Sequence, residues 1–123
     1  MINMNIGDNL LYSDRYFSNE YDQLIYLKRV PSDTILKPKY YLNVYTMINN
    51  ELIKQGYLYF YLDLVNKTAT FIGVGIKPQY RNLNIASLLI SCWIDLCLNN
   101  NIVYFDANEK QKKPFLLYLL KTL

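Results

Sequence analysis

The sequence predicts a single α/β (α+β) domain, a mixed central sheet in which antiparallel strands lead into a parallel strand, helix, strand crossover. Three observations predict it. From Tyr40 the pattern changes to period two, and the runs Gly56–Leu64, rich in β formers, and Thr68–Ile76 follow across two turns, as expected of three consecutive antiparallel strands. Ile85, Leu88, Leu89, Cys92, Trp93 and Leu96 then recur at helical spacing and define one broad apolar face. Ile102–Asp106 (IVYFD) follows as a short strand of the buried kind, and strand, helix, strand within about 40 residues implies a right-handed crossover and a parallel pair.

Taken in order, residues 1–39 are the least legible. Tyr21–Val30 (YDQLIYLKRV) reads as a short helix with Leu24, Ile25 and Leu27 inward, Ser18 or Asn19 as its cap and Pro31 at its end. Pro31–Lys39, with two prolines among polar residues, reads as a loop. In the first strand of the meander Tyr41, Asn43, Tyr45 and Met47 alternate with Leu42, Val44 and Thr46, and Asn49-Asn50 supplies a turn. Gly56–Leu64 (GYLYFYLDL) is the second strand, and Val65-Asn66-Lys67 connects it to the third, Thr68–Ile76. Gly73 and Gly75 in that third strand mark a bulge, a close approach by ligand or backbone, or tight packing against the neighbouring helix. Pro78 cannot donate to a ladder, so the strand ends near Lys77. The helix begins near Asn84 and is closed by Asn99, Asn100 and Asn101, a residue type that tolerates the left-handed cap conformation. Pro114–Leu123 is a last helix with proline in its first turn. No repeat or linker divides the chain.

Composition bounds the function. Hydrophobic residues make up 52% and charged residues 19% of 123 residues, the balance of one globular domain. A net charge of +3 does not argue for nucleic acid without clustering on one face; Lys110, Lys112 and Lys113 cluster, either as a solvated run or as an anion-attracting rim. There is no histidine, which removes the usual general base near neutral pH and the commonest metal ligand, so no metal is expected. Thirteen tyrosines favour strands and half-buried surfaces. Cys92 and Cys97, five apart on one helix, point to different faces and read as reduced, buried thiols. The N-terminus lacks the pattern of a signal peptide, and the run Ile85–Leu98 contains Asp95 and is short for a membrane span. A cytoplasmic protein is expected, with neither membrane nor nucleic acid as partner.

The junction between the third strand and the helix carries chemistry. Backbone amides of a tight turn and first helical turn are unpaired and suit a phosphate. The run Val74-Gly75-Ile76-Lys77-Pro78-Gln79-Tyr80-Arg81-Asn82-Leu83-Asn84-Ile85-Ala86 resembles the acetyl-CoA signature of the GNAT N-acetyltransferases, hydrophobic-x-hydrophobic-x-Pro-x-Tyr-Arg-x-x-Gly-x-Gly/Ala. Arg81 stands at the Gln/Arg position and Ala86 at the last small position, while Asn84 replaces the first glycine, a mild departure because asparagine tolerates positive φ. The resemblance covers 40–123 and implies a GNAT-like sheet with helices on both faces. It implies an acetyl-CoA cosubstrate whose pantetheine pairs with the backbone of Val74 and Ile76. The pyrophosphate would be surrounded by Arg81, Asn82, Leu83, Asn84, Ile85, Ala86 and Ser87, and Asn108 would contact the cosubstrate.

The implied activity is direct acetyl transfer to an amine acceptor; the alternative is a non-catalytic acyl-CoA-binding or protein-interaction module of the same fold. Many family members place a tyrosine acid on the last helix, where Tyr118 is the nearest match and a core tyrosine the plainer explanation. Asp63 or Glu109 could serve as base, or be surface carboxylates. The family's last two strands lie beyond Leu123, so the sequence is a fragment, a natural truncation, or a chain whose second copy completes it; pairing through an exposed sheet edge into a homodimer is expected.

Overall fold

The computed structural model describes residues 16–18, 23–31, 36–81 and 83–122. They form one six-stranded sheet in which every strand lies beside its neighbour in sequence. β1 (Tyr16–Ser18), β2 (Gln23–Val30), β3 (Lys39–Ile48), β4 (Glu51–Asp63) and β5 (Thr68–Ile76) run antiparallel in turn. A single 3₁₀ turn, Pro78–Tyr80, leads to α1 (Ile85–Leu98), which crosses to β6 (Tyr104–Ala107), parallel to β5; α2 (Lys112–Thr122) follows. This is the mixed α+β architecture expected above.

The first correction concerns 21–30. The helix expected there is strand β2 from Gln23, and its proposed caps fall in β1 (Ser18) or outside the described residues (Asn19). Gln23, Ile25 and Leu27 are buried while Leu24, Tyr26 and Lys28 are not, which is a period of two; adjacent Leu24 and Ile25 cannot both face inward on a strand. The neighbour decides the matter: β2 pairs along its whole length with β3, from Gln23↔Thr46 to Val30↔Lys39.

The turns follow their asparagines. Asn49 and Asn50, between paired Ile48 and Glu51, have φ of 50° and 64°, the two positive values a type I′ hairpin requires. At the next turn the Asp63 carboxylate accepts the N–H groups of Val65 and Asn66, each at 3.1 Å, and the Asn66 amide at 2.9 Å. Past α1, Asn101 has φ 65°, and Ile102 N–H and Asn101 N–H reach back to Cys97 O (3.0 Å) and Leu98 O (3.3 Å). This pair of bonds is a Schellman closure with asparagine in the place of glycine.

The core lies between the sheet and both helices. α1 buries Ile85, Leu89, Ile90, Trp93, Leu96 and Cys97. Trp93 is fully buried, with Phe105 at 5.4 Å, Phe60 and Phe115 at 5.7 Å and Phe71 at 6.1 Å between ring centroids. Phe115, from α2, stacks on Phe71 at 5.2 Å. Because Trp93 and Phe115 meet each other and the same sheet residue, α1 and α2 share one face. Helices on both faces were expected; among the described residues the opposite face is instead lined by tyrosines, Tyr41 stacked on Tyr59 at 4.4 Å and Tyr26 edge-on to Tyr45 at 5.4 Å. Of the segment before β3, the described residues are chiefly those of strands β1 and β2. β6 also differs from its expected 102–106 buried strand: it begins at Tyr104, which is exposed, and Ile102 is buried in the connection before it.

Candidate functional site

The site grows from an irregularity in β5. Gly73, Val74, Gly75 and Ile76 pair with Tyr59, Leu58, Tyr57 and Gly56, but Phe71 pairs with Phe60, leaving Ile72 as an extra residue. A bulge of this kind reverses which strand neighbour each backbone group faces. Before it, Phe71 O accepts from Asn108 N at 3.3 Å, so Phe71 faces β6; after it, Lys77 N donates to Gln55 O at 2.9 Å, so Lys77, Gly75 and Gly73 face β4. Val74 and Ile76 must then present their N–H and C=O groups to the other side. β6 has ended there, since its last pair is Phe71↔Ala107. The two strands therefore part after Phe71, and the edge from Val74 to Ile76 is open among the described residues.

The glycines keep this stretch thin. A Cβ on Gly75 would lie 2.5 Å from the Tyr57 ring and 2.8 Å from its hydroxyl, and one on Gly56 would lie 2.5 Å from Gly75 O. Gly75 thus accommodates a tyrosine from the next strand, not the helix, and Gly56 a close backbone approach.

Beside the open edge, the chain turns through Pro78–Tyr80 and enters α1 at Asn84, whose φ of 59° and ψ of 26° are left-handed. The side chain of Asn84 makes no capping bond. The first intrahelical donor is Leu88 N, to Asn84 O at 3.1 Å, so the N–H groups of Ile85, Ala86 and Ser87 have no acceptor among the described residues. Three unpaired donors at the positive end of a helix dipole favour an anion. Arg81, exposed, reaches back through Nε to Ile76 O at 3.4 Å, tying the turn to the open edge. Asn108 stands where β5 and β6 part; its Oδ1 accepts Gln111 N at 3.1 Å. Val74, Ile76, Arg81, Ile85–Ser87 and Asn108 are thereby brought to one end of the parallel pair. Leu83 and Asn84 lie in the same turn, and Asn82 falls outside the described residues.

The candidate acid and bases are placed less favourably. Asp63 pairs with Thr68 at the opposite end of β5, six residues and roughly 20 Å of strand from Val74. Its bonds to Asn66 and Val65 hold its carboxyl below the usual value, so it is committed to the turn and weakened as a base. Glu109 is paired with Lys112 at 3.0 Å on the surface, which also places one of the three clustered lysines in a solvated ion pair. Tyr118 lies in α2, with its side chain outside the described residues. The cysteines are free; burial, with Asp95 nearby, pushes the Cys92 thiol up to about 12, and burial raises Cys97 further. Neither is a nucleophile near neutral pH. Among the described residues no group of histidine, cysteine or carboxylate side chains could hold a metal, and no helix is long and apolar enough to cross a membrane.

A solved structure, that of nourseothricin acetyltransferase, is similar to this chain with a TM-score of 0.49 at 11% identity, over 88% of this chain and 72% of that one. That level of likeness carries no site argument. No family model and no curated protein matches the sequence. The site therefore rests on its own geometry.

A bulge is one of the readings that Gly73 and Gly75 allow, and it falls beside them at Ile72. Another feature escaped the sequence reading. On the tyrosine face, Lys28, Asn43, Lys54 and Tyr57 come together from three strands, a proximity visible only once β2 is known to be a strand.

Proposed function

We propose that this chain is an acetyl-CoA-dependent N-acetyltransferase that moves an acetyl group directly to an amine. The observation that carries the reading is the open edge of Val74 and Ile76 lying beside three unpaired helix-start donors. An extended arm with amides pairs with a strand edge, and a pyrophosphate suits a helix N-terminus. Acetyl-CoA has both groups, and the sequence of the turn resembles the GNAT signature that holds them.

On this reading Val74 and Ile76 pair with the pantetheine amides and polarise the thioester carbonyl. Ile85, Ala86 and Ser87 hold the pyrophosphate, with Arg81, Asn82, Leu83 and Asn84 shaping the turn around it. Asn108, whose oxygen is occupied by Gln111, offers its amide donors. The neutral amine nitrogen attacks the carbonyl carbon, the C–N bond forms, the C–S bond breaks, and the thiolate leaves. One proton passes from nitrogen to solvent and one reaches the sulfur. Tyr57, whose hydroxyl stands over Gly75 between Val74 and Ile76, is the described side chain we assign to supply the second; Tyr118 on α2 is the other candidate. The outer edge of β6, unpaired among the described residues and with Tyr104 exposed, is the surface through which a homodimer would form.

Calorimetry with acetyl-CoA and thiol release across an amine panel test this reading. Binding with amine-dependent thiol release is the expected result. Binding without release leaves a non-catalytic acyl-CoA-binding module; no binding at millimolar acetyl-CoA overturns both.

A further inference from the structure

Of the two glycines in β5, only one is required by its surroundings. A Cβ on Gly75 would lie 2.5 Å from the Tyr57 ring, whereas a Cβ on Gly73 would have no described atom within 4 Å. The φ of Gly73 lies outside the left-handed region, so neither the backbone nor a described neighbour excludes a side chain there. Glycine in a strand interior also weakens the strand. Gly73 is partly exposed, so the room above it opens to solvent.

That room lies on the tyrosine face. Val74 and Ile76 pack their side chains against the core, so the Cβ positions of Gly73 and Gly75, on either side of Val74, point to the other face. Gly73 pairs with Tyr59, but the Tyr59 ring is stacked on Tyr41 of β3 at 4.4 Å and does not cover it. On the other flank β6 has ended, its last pair being Phe71↔Ala107. The gap is thus bounded by the Tyr59–Tyr41 stack and, about 7 Å along the strand, by the Tyr57 ring over Gly75. It stands beside Val74, on the face opposite α1.

We infer that Gly73 sets the size of the acceptor: the gap over it is the passage by which an amine reaches the open edge, and it takes a primary amine on an unbranched carbon. Acetyl-CoA held at the start of α1 comes from the core face, which leaves the tyrosine face to the acceptor. A methylene next to the amine occupies the room of the missing Cβ; a branch at that carbon has to be placed against the surrounding rings. The transfer itself is unchanged: the C–N bond forms, the C–S bond breaks, nitrogen loses a proton to solvent and the thiolate gains one. This inference rests on the acetyl-transfer reading.

The experiment compares the parent with Gly73→Ala and Gly73→Val, using the isomers n-butylamine and sec-butylamine as acceptors. Thiol release, calorimetry with acetyl-CoA and thermal unfolding are read for each protein. The parent should favour n-butylamine, and Gly73→Ala should widen that preference at least about tenfold, the scale on which one methylene is discriminated in a tight passage. Gly73→Val should lower kcat/KM for both isomers at least about 100-fold. Both variants should bind acetyl-CoA within about twofold of the parent and unfold at the same or a higher temperature, a pattern that a merely structural glycine would not give. A parent indifferent to branching, a ratio unmoved by Gly73→Ala, or a Gly73→Val enzyme of parental rate overturns the inference alone. So does a loss of acetyl-CoA affinity or of thermal stability in step with the rate, and so does acetyl-CoA binding with no release from either isomer. No binding of acetyl-CoA by the parent at millimolar concentration overturns the acetyl-transfer reading and this inference with it.

Discussion

Replacing Asn84 by aspartate should weaken acetyl-CoA binding without weakening the fold. Asn84 is exposed and its side chain caps nothing, so the substitution removes no protein contact. It places a carboxylate at the start of α1, where the helix dipole rewards negative charge by about 0.3–1 kcal/mol. The same carboxylate would stand about 5 Å from a phosphate held by Ile85–Ser87, a repulsion of about 1 kcal/mol at the dielectric of water and about 3 kcal/mol at a surface dielectric, or about 5- to 150-fold in Kd. Screening should shrink the loss as salt rises. Asn84→Gly is the control: it relieves the left-handed strain at φ 59° and should bind acetyl-CoA as the parent does, with a fold as stable or up to about 1 kcal/mol more so. Asn84→Ala should cost about 1–2 kcal/mol in stability, because a Cβ without a local hydrogen-bonding group disfavours that conformation. Calorimetry at two salt concentrations, with urea unfolding of each variant, measures both effects. Unchanged acetyl-CoA affinity for Asn84→Asp at low salt would refute the placement of the phosphate site.

Four further outcomes follow. Trp93→Ala should destabilise the domain by about 3–5 kcal/mol in urea unfolding, since it empties the centre of an aromatic core made by four phenylalanines. Gly56→Ala should destabilise far more than Gly73→Ala in the same assay, because the new Cβ meets Gly75 O in the first case and nothing within 4 Å in the second. Asp63→Asn should leave acetyl transfer intact but remove a pH dependence of stability. The depressed carboxyl of Asp63 stabilises the parent above the unfolded pKa, about 3.9, and that contribution is lost as pH falls through the folded value, so parent and variant stabilities should converge in acid. Tyr57→Phe should lower kcat with little change in acetyl-CoA affinity, and a Tyr57→Phe enzyme of full kcat would exclude its hydroxyl as the proton source.

The legible parts of the fold were those set by short-range chemistry. Asparagine pairs and triplets announced the I′ turn at Asn49-Asn50 and the Schellman closure at Asn101, because few residues accept positive φ. The alternation from Tyr41 to Met47 gave the first strand of the meander, the connection Val65-Asn66-Lys67 set off Thr68–Ile76, and Pro78 marked the end of β5. The misread stretch, Tyr21–Val30, carries apolar residues at 24, 25 and 27 that satisfy both periods over so short a span; only the edge of β3, available to pair eight residues, resolves it. The same error hid the tyrosine face, since Lys28 cannot be set beside Lys54 without β2 in the sheet. Within the site, the turn from Arg81 to Ala86 was readable from its residue types. The reversal at Ile72, which directs Val74 and Ile76 to the open side, depends on register between β4 and β5, a long-range property that single residues do not encode.

The central claim is that the parting of β5 and β6 beside the start of α1 binds acetyl-CoA. An amide NMR titration with acetyl-CoA tests it most directly. The account predicts saturable shifts concentrated at Val74–Ile76, Asn84–Ser87 and Asn108, with the Asp63 turn unmoved. Shifts confined to another part of the sheet, or none at millimolar acetyl-CoA, would contradict it.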